Sequence, residues 1–143
     1  MSPAETEELL ANGEHGVLSM QGKNDYAYGV PLSYVYLGNS IYFHCAVEGK
    51  KLDLIRCNNK VSFCVVGPTQ TLPDLFSVQY SSAIVFGLVN EVDGKEKLGI
   101  LMAFLEKYSG NFFAQGKEYI LANGHKTAVI KLEIAHMTGK AGR

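Results

Sequence analysis

Residues 41–58 read Ile41-Tyr42-Phe43-His44-Cys45-Ala46-Val47-Glu48-Gly49-Lys50-Lys51-Leu52-Asp53-Leu54-Ile55-Arg56-Cys57-Asn58. The run Ile41–Ala46 has the alternating apolar character of a strand. The chain then turns through Glu48-Gly49 into a short segment in which Leu52 and Ile55 have helical spacing. Lys50 and Lys51 fall in the first turn of that helix, where unpaired backbone N–H groups already make the macrodipole positive. Two cations are unfavourable there in isolation, and they make better sense if an anion lies between them and the N–H groups. The plain alternative is a solvated helix face. The stretch therefore predicts a phosphate site at a strand-to-helix junction.

The chain has 143 residues, of which 47% are apolar, enough for one ordered domain with a real core. Its net charge of -1 and the lack of a basic block speak against a nucleic-acid partner. No run is long and apolar enough for a membrane span. The acidic start MSPAETEELL lacks the regions of a signal peptide, and Cys45, Cys57 and Cys64 are odd in number and irregularly spaced. Both features predict reduced thiols and a cytoplasmic protein.

Around the opening stretch, the rest of the chain reads as strands joined by tight turns. Ser2-Pro3-Ala4-Glu5 has the chemistry of a capped helix start, with Gly13 as its stop. His15–Gln21 predicts a strand, Gly22–Asp25 a turn, and Tyr26–Leu37 one long strand. In that strand Ala27, Gly29, Pro31 and Ser33 make one face small, and Pro31 marks an edge or bulge. Such a face either lets a flat ligand approach the backbone or simply bends a barrel. Lys60–Val66 and Phe76–Val92 predict further strands, Lys95–Tyr108 a helix, and Lys126–Ile134 a last strand. Residues 112–121 read either as a loop or as a further helical turn. The total is mainly β, with about six strands and two or three helices. Hairpins in series favour an antiparallel sheet that closes into a small barrel.

There is no GxSxG elbow, P-loop or dinucleotide GxGxxG fingerprint. His15, His44, His125 and His136 show no metal spacing. His44 and Cys45, adjacent on a strand, point to opposite faces and do not readily share an ion. His44 is either a core histidine satisfied by hydrogen bonds or a residue facing a bound ring.

Two segments, Gly29-Val30-Pro31-Leu32-Ser33-Tyr34-Val35-Tyr36 and Ile41–Asp53, carry a resemblance to a known family. It continues through Lys60-Val61-Ser62-Phe63, Ser77–Gly87 and Ile134–Lys140. Together they resemble the nitroimidazole-resistance flavoproteins of the pyridoxamine 5'-phosphate oxidase-like, FMN-binding split-barrel superfamily. The resemblance covers nearly the whole chain. It implies one domain over residues 1–143, a six-stranded antiparallel Greek-key split barrel, and a homodimer with FMN at the subunit interface. By position, Pro31, Leu32, Ser33 and Tyr34 would follow the isoalloxazine edge through backbone groups. His44, Cys45 and Ala46 would lie beneath the ring and ribityl chain, and Gly49, Lys50, Lys51 and Leu52 would hold the phosphate. Gln79, Tyr80 and Ser81 would come from the partner subunit. Two positions depart from the pattern: many relatives have a basic residue where Ser81 stands, and glycine is usual at Cys45.

The implied activity is an FMN-dependent oxidoreductase that reduces a small acceptor such as a nitroimidazole or another nitro compound. His44 is its candidate proton donor or positioning group. The alternative within the same fold is a flavin- or haem-binding protein without turnover. Oxidation of pyridoxamine phosphate itself fits less well, because Lys140 and Arg143 are a poor substitute for a basic C-terminal tail.

Overall fold

A computed structural model of the chain describes residues 1–142; Arg143 lies outside the described residues. The elements in chain order are α1 (Pro3–Asn12), β1 (His15–Gln21), β2 (Ala27–Ser33), β3 (Val35–Leu37), β4 (Ser40–Ala46), α2 (Lys50–Cys57), β5 (Lys60–Val66), β6 (Gln70–Leu72), β7 (Ser77–Val92), α3 (Gly94–Ser109), α4 (Phe113–Asn123) and β8 (Thr127–Gly142), with short 3-10 turns between some of them. Every strand pair is antiparallel, and the sheet order is β2-β1-β5-β7-β8-β4-β3, with β6 pairing on β7. This is the mainly β, antiparallel split-barrel architecture that the resemblance implies.

The strands at the two ends of the sheet, β2 and β3, are separated in sequence by Tyr34 alone. The two edges must therefore meet, and the sheet curls into a barrel at Tyr34. Tyr34 is fully buried, and its hydroxyl donates to the Leu10 carbonyl of α1. Its ring meets Phe63 edge-on at 5.0 Å, and Phe63 meets Phe43 in the same way at 4.9 Å. Leu18, Val65, Val85, Ile130 and Leu132 complete the centre of the interior, and α2 closes it with Leu52, Leu54 and Ile55.

Three expectations change. The described residues form eight strands where about six were expected. Tyr26–Leu37 is not one strand, because the chain leaves β2 and enters β3 at Tyr34. The last strand does not stop at Ile134 but runs to Gly142, because its second half pairs with the first half of β7, from Phe86↔His136 to Tyr80↔Gly142. That ladder shifts register at Phe86/Gly87. A Cβ on Gly87 would collide with the Glu133 carbonyl oxygen and the Leu132 side chain, so only glycine fits there.

The segment from Asp93 to Lys126, which holds α3 and α4, is thus the connection of the longest hairpin. It folds back over β4. Ile41 and Phe43 face the barrel interior, whereas Tyr42 on the opposite face packs with Ile100, Leu101 and Phe104 of α3. Residues 112–121, left open above, belong mostly to α4, which buries no residue. It packs closely on α3 where Gly116 meets Leu105.

Candidate functional site

The side chain of β2 that matters most is the one that is missing. Along Ala27–Ser33 exposure alternates, with Ala27, Gly29, Pro31 and Ser33 exposed and Tyr28, Val30 and Leu32 half-buried. The outward wall is therefore flat and small, as the alternation of residue sizes predicts. Pro31 lies on the outermost strand, where its lack of an N–H removes no ladder bond.

The phosphate candidates lie nearby. Gly49 leads into α2 with φ 154°, in a region that essentially only glycine occupies, and no side chain caps the helix. The N–H groups of its first turn therefore face outward beside the exposed Lys50 and the half-buried Lys51. Lys50 Nζ sits 4.5 Å from the centre of the Tyr28 ring, which ties the start of α2 to β2. Leu52 is buried in the core, so only its backbone can face a ligand.

His44 and Cys45 point to opposite sides of β4, as adjacent strand residues must. Cys45 packs against the barrel interior. Burial raises its thiol pKa, and the positive charges of Lys51 and Arg56 only partly oppose that. His44 faces α3, and its ring meets Phe104 edge-on at 4.6 Å and 83°. The ring keeps contact with solvent, yet its surroundings displace enough water to push its pKa below the ordinary 6.5. The imidazole is therefore neutral at neutral pH.

His44 and Ser33 line one cavity of about 360 Å³ together with Phe104, Tyr108, Tyr119 and Ile120 among others. Its roof, α3, is pinned at both ends. At the start of the helix, Glu96 accepts a hydrogen bond from Tyr42 Oη at 3.2 Å and pairs with Lys131 at 3.3 Å. Near its end, Lys107 Nζ donates to the Tyr34 carbonyl at 2.8 Å and lies 4.0 Å from the centre of the Tyr34 ring. Burial lowers the pKa of Lys107, and the Glu14 carboxylate partly opposes this. Tyr108 Oη accepts from the Tyr34 N–H at 3.1 Å and lies 2.8 Å from the Tyr34 carbonyl and 2.6 Å from that of Glu14. A hydroxyl has one proton, so those two carbonyls share it. The backbone groups of Tyr34, expected to run beside a ring, are thus already bonded to α3.

The remaining sequence candidates lie elsewhere. Gln79, Tyr80 and Ser81 line a separate cavity of about 540 Å³ with Gln70, Ala141 and Gly142, and it shares no residue with the cavity at His44. Lys140 has its Nζ 6.0 Å from the centre of the Tyr80 ring. Ala46, at the end of β4, is exposed. Phe104, Lys107, Tyr108 and Tyr119 were not anticipated as site residues. In sequence Tyr108 marks only the end of the helix predicted over Lys95–Tyr108, and its hydroxyl partners, Glu14 and Tyr34, are distant along the chain.

The chain matches the model of the pyridoxamine 5'-phosphate oxidase family over residues 2–141. A search of curated protein sequences finds no match. Among solved structures, it is similar to a candidate 5-nitroimidazole antibiotic resistance protein from Bacteroides thetaiotaomicron, with 20% identity, 98% of this chain and 84% of the other covered, and a TM-score of 0.82. It is also similar to an FAD-binding protein from Mesorhizobium loti (20% identity, 100% and 96% covered, TM-score 0.71). A third similar structure is an FAD and haem binding protein from Mycobacterium smegmatis (16% identity, 99% and 72% covered, TM-score 0.81).

Proposed function

The chain belongs to the pyridoxamine 5'-phosphate oxidase family, and from that premise we propose that it is an FMN-binding oxidoreductase that reduces a small acceptor such as a nitroimidazole or another nitro compound. The observation that carries this reading is that β2 offers a flat outward wall of Gly29, Pro31 and Ser33, and that the uncapped start of α2, with Lys50 and Lys51, reaches the same strand at Tyr28. The first suits a planar ring that must approach backbone closely, and the second suits a phosphate. The residues present therefore fit a flavin mononucleotide. Similarity to proteins named for FAD binding supports a flavin, and the single phosphate cradle favours FMN over the dinucleotide.

Bound flavin supplies electron transfer, and the protein supplies position and a local medium. The first turn of α2 holds the phosphate through N–H groups and two cations. Ser33 and His44 meet the ring region from β2 and β4. His44, kept neutral, offers an N–H and a lone pair, so it can pass a proton to a nearby acceptor atom. Phe104 and Tyr108 keep bulk water from that atom. Outward-facing Val17, Val66, Ile84, Phe86 and Leu88 leave an apolar face on the sheet, which supports a homodimer whose partner brings Gln79, Tyr80 and Ser81 to the site.

The second reading, a flavin- or haem-binding protein without turnover, is favoured by the lack, among the described residues, of any carboxylate, lysine or arginine lining the His44 cavity. The visible spectrum of the purified protein separates a flavin from a haem. Fluorescence titration with FMN then tests the cradle. Lys50→Gln with Lys51→Gln should weaken FMN binding by about tenfold or more with the melting temperature retained, because Lys50 is exposed, Lys51 is half-buried and glutamine keeps the polar stem at both positions. Unchanged affinity would remove the phosphate assignment.

A further inference from the structure

We propose that the cavity between β4 and the α3–α4 pair seats the electron acceptor, and that it selects uncharged, single-ring aromatic molecules while rejecting phosphorylated or carboxylated ones. This rests on the reading that the flavin ring lies against Ser33 and His44, since both residues also line this cavity.

Three observations carry the selectivity. First, the cavity measures about 360 Å³, near the lower end of the roughly 300–1,000 Å³ of small-molecule sites, which suits one ring and its substituents. Second, its lining is Ser33, His44 and Thr127 from the sheet, with Ser109 and apolar and aromatic groups from the helices, and among the described residues it includes no aspartate, glutamate, lysine or arginine. Lys107, the chain neighbour of the lining residue Tyr108, is bound to the Tyr34 carbonyl and stacked on the Tyr34 ring. A phosphate or carboxylate would enter without a counter-charge, which is costly out of water. Third, both helices present their C-terminal halves, α3 with Leu101–Ser109 and α4 with Tyr119 and Ile120. None of the described lining residues lies in the first turn of either helix, where free backbone N–H groups could hold an anion.

What the cavity offers instead is a set of neutral groups. Phe104, stacked with Tyr108 at 6.0 Å and 18°, provides a fixed aromatic side. The hydroxyls of Ser33 and Thr127 and the neutral imidazole of His44 can donate to an acceptor-only substituent such as a nitro group. Tyr119 lines the cavity yet is 69% exposed, so it stands at the rim.

The test uses the purified full-length protein and NMR titration with nitrobenzene, 4-nitrobenzoate and pyridoxamine 5'-phosphate, read at the side chains of Phe104 and Ile120. Nitrobenzene should bind about tenfold or more tightly than either anion. Tyr119→Arg, a substitution at an exposed position, should bring 4-nitrobenzoate to within about threefold of nitrobenzene while leaving the melting temperature unchanged. Ile120→Trp should fill the space and abolish nitrobenzene binding with FMN binding retained. Equal or tighter binding of an anion by the natural chain overturns the proposal. So does competitive displacement of nitrobenzene by FMN, which would make the cavity the seat of the flavin itself. A separate FMN titration keeps the two readings apart. Absent FMN binding takes down the flavoprotein reading and leaves the selectivity of the cavity standing; tight FMN binding without neutral-ring preference takes down the selectivity alone.

Discussion

The barrel interior and the helical cover are built from similar residues and differ in how firmly those residues are held. Inside the barrel, Tyr34, Phe43 and Phe63 are fully buried and locked edge-to-face. In the cover, α3 buries Ile100, Leu101 and Phe104, while α4 buries nothing and leaves Tyr119 and Leu121 about two-thirds exposed. Stability comes from the barrel. The region beside His44 is instead a packed helix carrying a loosely packed one, and that looseness leaves the cavity.

The sharpest way to break this comparison is to truncate both sides. Phe63→Ala should destabilise the protein by about 3–5 kcal/mol. Leu121→Ala should stay within about 0.5 kcal/mol. Chemical denaturation of the two variants decides it, and comparable losses would show that the cover is as integral as the barrel.

A second pair applies one chemical change to both regions. Gly87→Ala should cost about 1–3 kcal/mol, because the new methyl meets the backbone of Glu133, which the β7–β8 ladder holds in place. Gly116→Ala meets only the mobile end of Leu105. An interior helical glycine is about 1 kcal/mol worse than alanine, so this change should be near neutral in thermal unfolding. A large loss at Gly116 would mean that the α3–α4 contact is as tight as the barrel seam.

The smallest expected effect concerns acid. Burial sets the His44 pKa below 6.5 in the folded protein. Between the two values the unfolded chain binds the extra proton, so stability rises with pH there. As pH falls through about 6.5 toward the folded value, the His44 contribution is lost. Urea unfolding of the natural chain and His44→Gln across that interval should show a shallower slope for the variant. Identical slopes would mean that α3 does not desolvate the ring.

Much of this arrangement is legible from residue pattern. The helix start at Lys50-Lys51 follows from the sequence of α2, and the flat wall follows from small residues at alternate positions of β2. The long β7 and the helix α3 announce themselves by strong periodicity. The break at Tyr34 does not, because the inside–outside alternation of Tyr26–Leu37 continues across it, and only the closure of the sheet demands a change of strand. The second half of β8, Ala135–Gly142, is small and polar, and it is a strand because β7 offers it an edge. α4 was ambiguous for a related reason: a helix that buries no side chain leaves no apolar stripe to detect. The cavity at His44 joins residues from β2, β4, α3, α4 and β8, and no local pattern encodes such a meeting.

The cover is also the loop of the β7–β8 hairpin, and this bears on how such proteins diversify. The entropy of closing a flexible loop grows only with the logarithm of its length, about 0.6 kcal/mol for each doubling. The segment Asp93–Lys126 could therefore be lengthened, shortened or exchanged with little penalty to the hairpin it joins. The barrel and the α2 start would be inherited unchanged. A lineage could reshape the space beside His44 by rewriting one insertion, and lose stability where a change reached Tyr34 or the Tyr42 cluster.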